Sequence, residues 1–316
     1  MKPIKIAVLG GGTGMSVLLK GFKKLPFDIS GVVSVCDDGK STGRLREEFN
    51  MPAVGDIRKV LVSLSENEEI TEKLFDYRFD TSSDLNGHAL GNLLLTGARD
   101  ITGNMSDAIE MINSFLKLKG KVLPLTEDNI TLMGKMEDGN IVEGEHNITE
   151  DNRAIESVFY KENPEVNKDV LKAIKNADAI ILSMGSLFTS ILPNLICKEV
   201  VDEINKSKAK IIYVCNLMTQ PGETDNFSVS NHIELLNSYL DKRKIDAAVI
   251  NNGHVSSEII KKYENAEQKD LVEIDYENLE KLGVTQLTDN YILIENEKIR
   301  HNSLKVALNI LSYLID

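Results

Sequence analysis

The run Ile4-Lys5-Ile6-Ala7-Val8-Leu9-Gly10-Gly11-Gly12-Thr13-Gly14-Met15-Ser16-Val17-Leu18-Leu19-Lys20-Gly21-Phe22 decides the fold. Its opening is short, branched and mostly apolar, the composition of a strand buried in a parallel sheet. Met15, Leu18, Leu19 and Phe22 then recur at helical spacing. Between the two lie Gly10, Gly11, Gly12, Thr13 and Gly14. Backbone without Cβ atoms turns sharply and lets a ligand come close. A helix starting at such a turn presents unpaired N–H groups and the positive end of its dipole. Strand, glycine turn and helix start together predict a pocket for phosphate or pyrophosphate. The strict fingerprint G-x-G-x-x-G is incomplete, because Met15 stands where its third glycine belongs.

A second strand, Asp28 to Cys36, ends in Asp37-Asp38-Gly39. An acidic residue there, roughly 20 residues beyond the glycines, is where a dinucleotide fold holds a ribose hydroxyl. Asp37 and Asp38, with Arg44 and Arg46 nearby, read either as a solvated turn or as a ligand site. In the second case an aspartate meets ribose or Mg²⁺ and the arginines meet phosphate. Gly39-Lys40-Ser41 is not a P-loop, since Ser34 occupies the place of its leading glycine. Asp56 either caps a helix whose apolar face is Ile57, Val60, Leu61 and Leu64, or serves a metal or ligand. A polar-rich helix is expected over 66–79. Another is expected from Asn86 to Ala98, with His88 and Asn92 on one face and His88 read as a structural hydrogen-bonder.

From Lys121 the texture changes to short strands with an Asp138-Gly139 hairpin turn. Residues 119–165 are therefore expected to be an inserted subdomain, β-rich and partly helical, with 153–163 irregular. The alternation then resumes. Ala179 to Ser183 is a buried strand followed by Met184-Gly185-Ser186-Leu187-Phe188-Thr189-Ser190, a second strand–glycine–helix junction. Its hydroxyls suit N-capping, and with the first junction in view they also suit phosphate. A strand Lys210 to Cys215 leads to Asn216, Thr219 and Gln220, whose amide and hydroxyl groups suit a base or sugar edge and equally an ordinary turn. A strand over 245–250 leads to Asn251-Asn252. The strand 291–294 and a helix 303–315 close the chain. Strands alternating with helices predict one α/β domain over 1–316, a doubly wound, mostly parallel Rossmann-like sheet. Gly10–Gly14, Asp37-Asp38, Ser183–Ser190, Asn216–Gln220 and Asn251-Asn252 all fall at strands' carboxyl ends, where such sheets bind ligands.

The chain has 316 residues, enough for a sizeable core, and no Trp. Its net charge of −13 argues against a broad basic face for nucleic acid. Cys36, Cys197 and Cys215 are scattered and odd in number, which fits a reduced compartment. Met1-Lys2-Pro3 runs straight into a strand, so no secretory leader is expected, and no apolar run reaches membrane-spanning length. A cytoplasmic location is expected. There is no zinc-ligand spacing and no nucleophile elbow. Nor does any acid–base pair commend a dehydrogenase.

The motifs together resemble the bacterial gluconeogenesis factor family, within the CofD-like superfamily of 2-phospho-L-lactate transferases. The resemblance rests on Gly10–Gly14, Asp37-Asp38-Gly39 with Gly43-Arg44-Leu45-Arg46, Gly55-Asp56-Ile57-Arg58 and Gly87-His88-Ala89-Leu90-Gly91-Asn92. It continues through Gly185–Asn194 and Cys215–Thr224, so it spans almost the whole chain. Lys40-Ser41-Thr42 departs from the small residues usual there. The resemblance implies a nucleotide-sugar-binding regulator of cell morphogenesis under gluconeogenic growth, taking a UDP-sugar such as UDP-N-acetylglucosamine, with cell-wall synthesis or regulatory proteins and a second copy of the chain as partners to be considered. It implies as the alternative a Mg²⁺-dependent phospholactyl-type transferase on a nucleotide diphosphate donor. An NAD-binding protein, read from the first strand–helix–strand unit rather than from the resemblance, is a third alternative, and GDP is a further nucleotide to be considered. Carried onto this chain, Gly10–Gly14, Gly185, Ser186, Leu187, Thr189 and Ser190 would hold the diphosphate. Asp37, Asp38 and Asp56 would be the catalytic, Mg²⁺ or ribose candidates, with Asp38 and Asp56 on the metal. Arg44 and Asn92 would complete the cleft, and Asn216, Thr219, Gln220 and Asn252 would face the base or sugar.

Overall fold

Strand β1 (Ile4–Gly10) is buried on both faces because its side chains alternate between two cores. Ile6 and Val8 join one apolar cluster, and Ala7 and Leu9 the other. The structure, a computed structural model, describes residues 2–256, 260, 269–295 and 298–316; the Lys40 side chain lies outside the described residues.

After β1 and the helix Gly12–Phe22 the chain lays down β2 (Phe27–Val33) and β3 (Lys121–Pro124) to one side. Strands β4 (Leu132–Met136), β5 (Ile141–Glu143) and β6 (Ile155–Tyr160) form a separate antiparallel sheet in the order β5-β4-β6. The chain then returns to the other side of β1 with β7 (Ala179–Leu182), β8 (Lys210–Val214), β9 (Ala247–Asn251) and β10 (Thr285–Asp289). The main sheet reads β3-β2-β1-β7-β8-β9-β10, parallel throughout. Counted along this sheet, that is the dinucleotide-fold order with a seventh strand beyond the sixth. Strand order reverses between β1 and β7, so the loops leaving those two strands part and open a crevice.

Met15, Leu18, Leu19 and Phe22 bury one face of the first helix, which packs against Gly55–Leu64 and Ser303–Ile315. The opposite face of the sheet is covered by Lys168–Asn176, Lys198–Lys206 and Val229–Tyr239. No helix among the described residues is long and apolar enough to cross a membrane.

Several boundaries differ from expectation. The expected last strand, Ile292–Glu295 (β11), pairs antiparallel with β12 (Lys298–His301) as a hairpin outside the main sheet. The true edge strand is β10, whose Thr-Gln-Leu-Thr-Asp sequence lacks an apolar run because an edge strand meets solvent. Residues 153–163 are irregular only at their ends, since Ile155–Tyr160 forms β6. β3 belongs to the main sheet, so the excursion from it begins after Pro124 rather than at 119. The helix expected over 66–79 is confined to Glu68–Phe75, and the next starts at Leu90.

Candidate functional site

A cavity of about 410 Å³ opens where the strand order reverses. Its wall takes Thr13 and Gly14 from the turn after β1, Gly185 and Ser186 from the turn after β7, and Asn216, Thr219 and Gln220 after β8. These seven expected site residues are thus brought together. A Cβ on residue 14 would run into the Met184 carbonyl oxygen, so only glycine lets the first helix start against the β7 turn. Asn216 locks that turn in place: its Nδ2 donates to the Gly185 carbonyl (2.7 Å) and its Oδ1 accepts from the Gly185 N–H (3.2 Å). Its amide therefore holds the wall's shape. Thr219 accepts from the Asp270 N–H through its Oγ1 at 3.0 Å. From the hairpin come Lys298, Arg300 and His301. Burial drives the His301 pKa down to about 4, and its Nε2 lies 3.0 Å from the Cys215 carbonyl, which fixes a neutral N–H donor there.

The first helix carries no acidic residue in its opening turn, and its Gly12 N–H is taken by the Asp56 carboxylate of the neighbouring helix, which leaves Thr13 and Gly14 at the cavity wall. The second junction also meets a carboxylate of the protein. Ser186 Oγ accepts from the Thr189 N–H (2.9 Å), an N-cap, and donates to Glu223 Oε2 (2.6 Å). Glu223 also accepts from the Phe188 N–H (3.4 Å) and from Gln220 Nε2. The protein's own carboxylate thus fills the mouth where phosphate was expected. Burial pushes the Glu223 pKa up to about 7, against the pull of the Ser186 and Phe188 hydrogen bonds. Leu187, Thr189 and Ser190 lie outside the cavity wall. Asn252 faces a smaller adjoining cavity of about 170 Å³, which shares Asn216.

Gly10, Gly11 and Gly12 also stand outside the first cavity. Gly11 backs onto Asp56: a Cβ there would lie 2.7 Å from Asp56 Oδ2. Asp56 is not the helix cap, because Val54 holds that position in Gly55–Leu64 without a side-chain cap. The Asp56 carboxylate instead accepts from Lys59 Nζ at 3.0 Å and from the Gly12 N–H. Burial raises its pKa and Lys59 opposes the rise.

Beside it lie Asp37, which accepts from the Gly39 N–H (2.9 Å) and Thr42 Oγ1 (3.1 Å), and Asp38, which accepts from the His146 N–H (2.7 Å). The fourth member, Glu145, has no local signal in the sequence and arrives on the helix Glu145–Glu150 of the excursion. Burial, then the Asp37 and Asp56 charges, raise its pKa to about 8. No group of three or more His, Cys, Asp or Glu among the described residues is disposed to hold a metal ion. Asp38 and Asp56, the expected Mg²⁺ ligands, are turned to His146 and Lys59, so no ligand set is assigned.

Arg44 and Asn92 do not reach the first cavity; with Asp37 they line a separate one of about 890 Å³. Arg46 is not a phosphate ligand. It is buried, donating to the Cys36 (3.1 Å) and Asp37 (3.2 Å) carbonyls and to Asn129 and Ile130.

The chain is similar to known proteins over nearly its whole length. The sequence pattern of the family "2-phospho-L-lactate transferase CofD" matches residues 6–292. The chain is 42% identical over 313 residues to the gluconeogenesis factor of Bacillus subtilis (strain 168), covering 99% of this chain and 97% of that protein. It is 41% identical over 312 residues to the gluconeogenesis factor of Halalkalibacterium halodurans, covering 98% and 97%. A crystal structure of a Bacillus halodurans protein superposes with a TM-score of 0.93 at 41% identity, covering 98% of this chain and 99% of that one.

Proposed function

Because this chain belongs to the CofD family, and within it to the gluconeogenesis factors, we propose that it binds a nucleoside diphosphate sugar in the cavity between the two glycine turns. The ligand favoured is a UDP-sugar such as UDP-N-acetylglucosamine. The protein acts by signalling that ligand's level to cell morphogenesis during gluconeogenic growth, without turning it over. The observation that carries this reading is the shared cavity at the reversal of strand order, the place where open α/β sheets take nucleotides. In a chain of net charge −13 the diphosphate must be held locally. The amides of Thr13 and Gly14 at the start of the helix Gly12–Phe22 supply one pole, and Lys298 and Arg300 supply positive charge. Thr13 and Thr219 offer hydroxyls for ribose or sugar.

The test is a melting panel over UDP-sugars, GDP, NAD and NADP. A UDP-sugar at a hundredfold excess over Kd is expected to stabilise the fold by about 2.7 kcal/mol. A flat response to every UDP-sugar with a large shift for NAD overturns the reading.

One observation favours a second reading, a transferase of phosphorus-containing groups. Glu145, held near pKa 8 beside Asp37 and Asp56, is poised to exchange a proton near neutral pH next to the glycine turn. It predicts nucleotide release from a diphosphate donor when an alcohol acceptor is supplied, with a dependence on Mg²⁺. Release no faster than background with every acceptor ends it.

A further inference from the structure

The cavity of about 890 Å³ beside Asp37 is built from residues the nucleotide reading leaves unused. Arg44, Arg58, Lys59 and Arg78 all line it, in a protein whose acids outnumber its bases by 49 to 36. Asp37 is the one carboxylate in its wall among the described residues. Behind the wall, Asp56 pairs with Lys59 at 3.0 Å and Asp76 lies 3.3 Å from Arg58 Nε. That leaves Arg44 and Arg78 against the single wall carboxylate, Asp37, and the cavity is net positive.

Arg58 is the anchor of this wall. It is 5% exposed, and its Nε and Nη1 are buried without a hydrogen-bond acceptor, because Asp76 is close enough for attraction but not aligned to accept. A guanidinium buried with unmet donors is costly. Asn92, 2% exposed, has its Oδ1 buried without a donor in the same wall. The fold spends sequence on holding this pair. The Arg58 stem crosses Gly91 so closely that a Cβ there would sit 2.9 Å from Arg58 Cδ. Arg78 Nη1 donates to the Gly87 carbonyl (2.7 Å), and His88 Nδ1 meets Ser41 Oγ (3.0 Å). The run Gly87–Asn92 therefore builds the floor of a cavity.

We propose that this cavity is a second ligand site, for a small metabolite carrying a phosphate monoester and a free hydroxyl. The Arg58 fork and the two exposed arginines, Arg44 and Arg78, take the phosphate, because an arginine fork matches its oxygens. The hydroxyl donates to Asn92 Oδ1. The volume suits a phosphorylated organic molecule and exceeds what a bare anion needs. The inference stands apart from the nucleotide reading, since no residue of the wall lines the first cavity.

The test is calorimetric titration of the full-length protein at constant ionic strength with glycerol 3-phosphate, inorganic phosphate and glycerol. Saturable binding of glycerol 3-phosphate is expected, weaker binding of phosphate, and none of glycerol. Arg44→Gln with Arg78→Gln, both at exposed positions, is expected to weaken glycerol 3-phosphate binding by about tenfold or more. The same double variant is expected to keep its response to UDP-N-acetylglucosamine. Arg58→Lys preserves the charge and loses the fork, so it weakens binding too; if it fails to fold, the double variant decides. No binding of either phosphate compound, equal affinity in the double variant, or displacement of glycerol 3-phosphate by UDP-N-acetylglucosamine each overturns the proposal. A missing UDP-sugar response with glycerol 3-phosphate binding intact sinks only the nucleotide reading.

Discussion

Two carboxyls whose chemistry depends on surroundings carry the sharpest expectations. Glu145 keeps its proton in the folded protein to about pH 8, whereas the unfolded chain releases it near the ordinary value of 4.5. The folded state binds more protons in that window, so stability falls as pH rises from about 4.5 toward 8. Glu145→Gln is expected to remove that slope and to gain on the order of 3 kcal/mol at pH 8, read by urea unfolding across pH. Unchanged slopes would show that Glu145 ionises normally. Glu223, at about 7, hydrogen-bonds Ser186 and Gln220 in the nucleotide cavity wall. Once ionised it repels a diphosphate. UDP-sugar affinity is therefore expected to drop between about pH 6 and pH 8, and Glu223→Gln to flatten the profile, by calorimetry at both ends. Asp37, Asp38 and Asp56 were legible as site candidates because they end strands or open helices. Glu145 was not, since it meets these aspartates only through the tertiary fold, where its neighbour His146 donates to Asp38 from 108 residues along the chain.

Strands and helices supply the scaffold, and the hairpin β11–β12 supplies charge to the nucleotide cavity. Lys298 and Arg300 project from its exposed face into the cavity wall, so they contribute little to folding. Lys298→Ala with Arg300→Ala is expected to weaken UDP-sugar binding by about tenfold or more while leaving the melting temperature of the free protein unchanged. Undiminished binding would remove the hairpin from the site. The helix Gly12–Phe22 was readable because its buried residues recur every three or four positions. The edge strand β10 was not, because only an alternating, half-polar segment is needed where one flank is open. The junction after β7 was read correctly as strand–glycine–helix, yet it winds as a π-helix over Leu187–Ile191 and meets its own Glu223. Nothing local distinguishes a helix mouth that awaits phosphate from one already satisfied by a remote carboxylate.

Across the whole molecule, both apolar clusters hang on one sheet, with neighbouring residues of β1 and β7 pointing into opposite cores. The C-terminal helix Ser303–Ile315 packs on the N-terminal helix Gly12–Phe22, tying the two ends together. Neither core survives loss of the sheet they share, so hydrogen exchange in urea is expected to expose peptides from Gly12–Phe22 and from Lys198–Lys206 at one midpoint. Distinct midpoints would mean two independent folding units.

The amino-acid sequence by itself determined the class of fold, the order of most elements and the phosphate-type turn after β1. Those depend on side-chain period and on glycine, which act over a few neighbouring residues. Only the tertiary structure decided that the candidates do not share one cleft, that Glu145 and Glu223 hold perturbed protons, and that Arg58 and Asn92 lie buried with unmet hydrogen bonds. Burial and charge act through distance in space, and spacing along a chain does not record that distance.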